Sequence, residues 1–211
     1  MIKIRNLVKE YKKFNGIKIV CSELDISKGD IVGIYGNVGS GKTLFTKILA
    51  GVHKKYNGVI EFGMISSRSV PKKTLSFIPS SNILYTGLTL IDHIKFFGSE
   101  FKVNKTEITA KINWFDKFFN VNRNLDRKIY SFSKGELQYV KIFLSLLHSP
   151  SLVIIDELFT GFGNDDINSL YKLFEELSER EVTILFTSSH LEYIKALTEN
   201  IIYIKNGSID I

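Results

Sequence analysis

One cysteine in 211 residues, Cys21, leaves nothing from which to build an internal disulfide or a cysteine metal cage. Such a chain suits a reducing cytoplasm. Proline is scarce as well, three residues against fifteen glycines, which fits neither a fibrous nor a disordered chain. Long apolar runs are missing. The longest cover about five residues, far short of the roughly twenty that a membrane-spanning helix needs. The opening stretch MIKIRNLVKEYKK alternates apolar and polar residues and lacks the unbroken apolar core of a signal peptide, so a strand is expected there. There is no internal repeat, no low-complexity tract and no long block of like charge. The net charge is nonetheless +6. That excess fits lysines on a solvated surface, and it also fits attraction to an anionic leaflet or nucleic acid.

What remains is an ordinary globular composition, 44% hydrophobic and 24% charged, long enough for one domain with a sizeable core or a core plus a lobe. Strand patterns fall at about 2–8, 18–26, 31–35, 58–62, 75–78, 152–156, 182–187 and 200–205. IVGIY, LVIID and TILFT are continuously apolar and rich in Val and Ile, as strands of a parallel sheet covered on both faces are. Helical patterns cover 42–50 and about 164–178. Between 88 and 147 strand signals vanish, and TLIDHIKFFGSEF, TEITAKINWFDKFFNV and SKGELQYVKIFLSLLHS space their apolar residues by three and four. This stretch reads as a helical lobe inserted into an α/β core.

Between IVGIY and the next helix lies GNVGSGKT, residues 36–43, which satisfies G-x-x-x-x-G-K-[ST] in full. Glycines let backbone N–H groups converge on phosphate oxygens, and the helix that follows points its positive end at the anion. Lys42 is expected on the β- and γ-phosphates and the Thr43 hydroxyl on Mg²⁺, with Asn37, Val38, Gly39, Ser40, Gly41 and Leu44 completing the ATP-binding segment. LVIIDE, 152–157, ends a buried strand in two carboxylates. At the carboxyl edge of a parallel sheet these face a ligand crevice, although any strand can also end in Asp-Glu at a solvated turn. There Asp156 would hold Mg²⁺ and Glu157 would activate the attacking water. ILFTSSH, 184–190, is another buried strand, and it delivers His190 toward the same crevice, where a γ-phosphate contact is expected.

Taken together these residues resemble the nucleotide-binding domain of an ATP-binding cassette transporter, over essentially the whole chain. The segment SFSKGELQYVKIFLSLLHSPSLVIIDE, 131–157, carries most of the likeness: Ser133-Lys134-Gly135-Glu136 sits where the family has a Ser-Gly-Gly-Gln-like signature opening a helix. Ser followed three residues later by Glu is also a plain capping box. The resemblance implies a P-loop NTPase (RecA-like) α/β core, about 1–84 and 150–211, with a mostly parallel sheet flanked by helices. It also implies an antiparallel β subdomain near the N-terminus and an α-helical subdomain at about 85–149. It further implies that Ser133 and Gly135 contact ATP held by an opposite subunit, so that two chains, as a homodimer or heterodimer, sandwich two nucleotides. Tyr11 takes the place of a ring that stacks on adenine. Ser80 takes the place of a glutamine that touches Mg²⁺, and His190 matches the switch histidine.

The departures from the family pattern are informative. Ser80 is shorter than glutamine, Leu158 replaces a proline, and Thr160-Gly161-Phe162-Gly163 lacks the aspartate that ends this loop in relatives, leaving Asp165 or Asp166 to substitute. Lys134 replaces a glycine. That variant, with LYTGLTLIDHIKFFG at 84–98, looks like exporter-type cassettes that handle drugs, peptides or polysaccharides. The resemblance therefore implies an ATPase, with Mg²⁺, that powers export through a separately encoded integral membrane permease. Such a subunit is cytoplasmic, peripheral on the inner face of the cell membrane, and is not expected to bind nucleic acid. The other readings are a non-transport cassette ATPase acting on ribosomes or DNA, and a low-turnover ATP-binding regulatory or immunity module.

Overall fold

The apolar runs become the centre of one mixed sheet. The computed structural model describes residues 2–11, 16–63, 65–66 and 73–210. In chain order the strands are β1 (Ile2–Tyr11), β2 (Ile17–Ile26), β3 (Ile31–Tyr35), β4 (Asn57–Phe62), β5 (Ile65–Ser66), β6 (Leu75–Ile78), β7 (Leu152–Ile155), β8 (Thr183–Ser188), β9 (Ile201–Lys205) and β10 (Ser208–Asp210). They lie side by side as β5-β4-β1-β2-β10-β9-β3-β8-β7-β6. The block β9-β3-β8-β7-β6 is parallel, and β7 and β8 are buried at every position, as unbroken apolar strands require. On the other side β1, β2 and β4 pair antiparallel, with alternating burial on β1 and β2.

Strand β10 joins these two regions. Asn206 and Gly207 both take positive φ, 50° and 81°, as a tight hairpin from β9 demands. Ser208 then pairs parallel with Val20 of β2. A Cβ on Gly207 would meet the Lys18 carbonyl oxygen at 2.1 Å, so glycine is what permits this approach. Strands β5 and β10 and the short helix α6 (Leu191–Lys195) are additions to what the periodicity predicts.

Five longer helices complete the fold: α1 (Lys42–Leu49), α2 (Leu90–Phe101), α3 (Lys105–Phe119), α4 (Lys134–Leu146) and α5 (Asn164–Glu179). Helices α2, α3 and α4 each start with a reciprocal capping box, Thr89 with Asp92, Asn104 with Glu107 and Ser133 with Glu136. Their apolar faces, including Leu90, Ile94, Ile112, Phe115 and Phe143, share one buried cluster with Ile78, Ile155 and Phe186 of the parallel strands. Each such side chain contributes about 1.5–3 kcal/mol on burial, which ties the lobe to the sheet. Cys21 is buried and unpaired. Among the described residues no helix is long and apolar enough to cross a membrane.

Candidate functional site

The carboxyl ends of β3, β7 and β8 meet at one edge, and the glycine loop leaves β3 there to enter α1. Gly39 and Gly41 turn the loop with φ of 82° and 112°, conformations that side-chain-bearing residues rarely adopt. Gly41 also has no room for a side chain: a Cβ would lie 2.6 Å from Ile19 Cδ1. Among the described residues no side chain caps α1, so its first-turn N–H groups are left for another acceptor. Ser40 Oγ is buried without a hydrogen-bond partner among the described residues, which adds a donor of the same kind. This is a cradle built for an anion.

Lys42 is 4% exposed and curls back over the loop, donating to the Gly36 carbonyl at 2.7 Å and the Asn37 carbonyl at 3.3 Å. Its Nζ lies 3.4 Å from Glu157 Oε1, so the loop cation and the expected base already face each other. The Thr43 hydroxyl donates to Asp156, 2.9 Å from Oδ2, and Asp156 is fully buried. A cleft of about 290 Å³ opens over these groups, lined by Ile17, Val38, Gly39, Lys42, Thr43, Leu44 and Glu157, with Lys47 adding a second cation. The sequence reading missed Ile17 and Lys47, which lie outside the glycine motif and are carried to it only by the fold. A larger cavity, about 510 Å³, sits at the opposite edge beside Trp114 and Lys111. Its cations are already engaged: Lys28 with Glu181, Arg180 with Glu176, and Lys111 with the Leu146 carbonyl and Ser149 Oγ.

Other expected residues fall around the cleft in different ways. His190 lies two residues past the end of β8 and N-caps α6. A Cβ on Gly33 would meet Ile194 Cγ2 at 2.1 Å, so only glycine lets α6 lie this close to β3. The imidazole is 63% exposed, 3.7 Å from Glu192, with no bond to Glu157 among the described residues. Ser80 is exposed two residues past β6, on the same edge, and Ile78, the last residue of β6, accepts a bond from the Asp156 amide at 2.8 Å. Tyr11 pairs with the cleft residue Ile17 across the β1–β2 ladder, yet its ring turns edge-on to His53 beneath Lys9 and does not line the cleft. Burial lifts its phenol to about 12.

Ser133 and Gly135 do not line the cleft either. Ser133 is exposed at the tip of α4, and Gly135 is pressed against the loop that follows Glu157, where a Cβ would sit 2.5 Å from the Gly161 oxygen. Arg127 grips Glu136 at 2.7 Å, holding its carboxyl below the usual range and fixing the helix tip. Asp166 accepts from the Gly163 amide and the Tyr139 hydroxyl; the Asp165 side chain lies outside the described residues. Substituting Gly135→Ala is expected to cost about 1–3 kcal/mol through overpacking, lowering Tm by about 2–10 °C in a thermal melt for a chain of this size. An unchanged melt would place slack where the coordinates show contact.

Sequence comparison places this geometry among known proteins. A family model described as "ABC transporter" matches residues 21–160. An uncharacterized ABC transporter ATP-binding protein, MJ1023 of Methanocaldococcus jannaschii, is 31% identical over 208 residues, 98% of this chain and 74% of its own length. The molybdate/tungstate import ATP-binding protein WtpC of Pyrococcus abyssi is 29% identical over 92% of this chain and 55% of its own length. A solved ATP-binding subunit of an ABC transporter superposes with a TM-score of 0.88 at 23% identity, covering all of this chain and 88% of that one, which shows that the fold is shared.

Proposed function

This chain belongs to the ABC transporter family, and from that premise we propose that it is the ATP-hydrolysing subunit of an exporter, working through a separately encoded membrane permease. ATP binding and ATPase activity go with the family. The observation that carries the reading here is the cleft in which Lys42, Thr43 and Glu157 converge on an uncapped helix start, with the buried Asp156 bonded to Thr43 behind it. Loop amides and the α1 N-terminus hold the triphosphate, and Lys42 leaves its carbonyl partners for the phosphate oxygens.

Thr43 and Asp156 offer only oxygen, the donor type a hard divalent cation takes, and they are the residues that would hold Mg²⁺. When bound, that ion supplies charge neutralisation at the β- and γ-phosphates. Glu157 accepts a proton from water as the water oxygen bonds to the γ-phosphorus and the bridging β–γ bond breaks, yielding ADP and phosphate. His190 reaches the γ-phosphate after its exposed ring leaves Glu192. Leu44 lines the cleft beside the base position, Tyr11 reaches the base only by turning its ring away from His53, and Ser80 stands at the water edge of the metal position.

Ser133 and Gly135 do not line the chain's own cleft, and by the family resemblance they serve the nucleotide of a second subunit, so that the working unit is a dimer of such chains. Residues of about 85–149 act as the lobe that meets the permease on the inner face of the membrane. Lys134 in the signature and the 84–98 segment support outward transport; the import-named relative makes the opposite direction the decisive alternative. Co-expression with a permease encoded beside it, followed by transport assays in inside-out vesicles, tests this. ATP-driven uptake into such vesicles is expected. Substrate loss from them would reverse the direction, and stable association with ribosomes or DNA instead of a multi-span membrane protein would remove the transport assignment.

A further inference from the structure

Thr187 sits in β8 between Phe186 and Ser188, fully buried, in a strand whose neighbouring residues Ile184, Leu185 and Phe186 are apolar. In that setting a hydroxyl must be satisfied or it destabilises the strand. Its single oxygen is used twice. It donates to Asp156 Oδ1 at 3.0 Å and accepts the Glu157 backbone N–H at 2.8 Å. The Thr187 carbonyl then accepts the Leu158 N–H at 3.1 Å. One residue on a neighbouring strand therefore holds three consecutive residues of the catalytic edge.

Two features show why this matters. Glu157 has φ of 57°, a left-handed conformation that is uncommon for a residue with a side chain and persists only where the surroundings enforce it. The two bonds that Thr187 makes to the amides of Glu157 and Leu158 supply that restraint, and the kink they hold directs the Glu157 carboxylate toward Lys42. Asp156, in turn, accepts from two hydroxyls, those of Thr43 and Thr187. Thr43 has a second task at the phosphates, so Thr187 is the donor dedicated to Asp156. Only Ser or Thr offers a donor and an acceptor on one atom at this size.

We propose that Thr187 is a positioning residue for hydrolysis, orienting the Asp156 carboxylate with its hydroxyl proton and setting the Glu157 backbone with its lone pair. The inference rests on the reading of Asp156 and Glu157 given above. Thr187→Val keeps the shape and removes the hydroxyl; Thr187→Ser keeps the hydroxyl and removes the methyl. T187V is expected to lower kcat about ten- to a hundredfold, the range for partners of ligating carboxylates, with KM for ATP within about twofold of wild type. Calorimetric titration of the nucleotide-loaded protein with Mg²⁺ is expected to show about tenfold weaker binding in T187V. T187S should restore both quantities to within about threefold of wild type, since the hydrogen bonds survive.

Wild-type kcat and Mg²⁺ affinity in T187V would overturn the proposal. So would T187S as impaired as T187V, because that pattern marks a methyl needed for packing. If T187V does not fold, T187S alone decides: a deficit beyond about tenfold with the hydroxyl present refutes a hydroxyl role. Glu157→Gln separates this inference from its premise. An inert E157Q beside a fully active T187V refutes only the role of Thr187, whereas an E157Q that turns over like wild type removes the premise as well.

Discussion

ATP affinity of the Lys42→Ala protein is expected to fall about ten- to a hundredfold, the equivalent of one strong charge-assisted contact worth about 1.5–3 kcal/mol. The reason is local. Among the described residues Lys42 is the one side-chain cation enclosed in the phosphate loop, and its three donors are parked on the Gly36 and Asn37 carbonyls and beside Glu157. Exchanging carbonyl acceptors for anionic oxygens strengthens every bond it makes. Alanine removes that gain and leaves Glu157 without its ion partner in a cleft whose remaining cation, Lys47, belongs to the far end of α1. Isothermal titration calorimetry against ATP reads the change directly. An affinity within about twofold of wild type would mean that the phosphates do not lie in this loop.

The second large effect belongs to Glu157→Gln. Glutamine preserves size and can still face Lys42, so nucleotide binding survives. The amide cannot take a proton from water, and turnover is expected to drop about 10²- to 10⁴-fold, the usual contribution of a general base. A protein that binds but does not hydrolyse should accumulate in its ATP-bound form. If the closed pair binds ATP better than the open one, that form is dimeric. Size-exclusion chromatography with Mg-ATP is expected to show a dimer for this variant and not with ADP. Retained turnover would take Glu157 out of the chemistry, and a strictly monomeric E157Q would take Ser133 out of the site.

Much of this was open to reading because phosphate binding imposes local rules. The glycine loop must follow a buried strand and open a helix, and IVGIY-GNVGSGKT-LFTKIL states all three in one line. The buried strands β3, β7 and β8 announce themselves because burial on both faces demands unbroken apolar residues. Thr187 escaped notice because it looks like any β-branched residue in TILFTS; its meaning lies in register, which sets β8 beside β7 and so brings it to Asp156. A buried threonine directly after the apolar run Ile184-Leu185-Phe186 of a central strand was the available signal. Strand β10 was likewise marked by Asn206-Gly207, a hairpin dipeptide passed over near the chain end. Position in the chain could not reveal that the Tyr11 ring turns toward His53 or that the Tyr139 hydroxyl donates to Asp166, since both depend on distant packing.

The two glycines that touch, Gly135 and Gly161, give the proposed pair of subunits an unusual wiring. Three residues separate Gly161 from Glu157, and the start of that span is fastened to β8 while its end leans on the head of α4. In the proposed pair, a shift of Glu157 at one triphosphate would reach, through a lever one loop long, the surface that subunit lends to its neighbour. Two chains paired as proposed would keep their firing chambers in step by direct mechanical linkage, before any signal had travelled to the membrane and back.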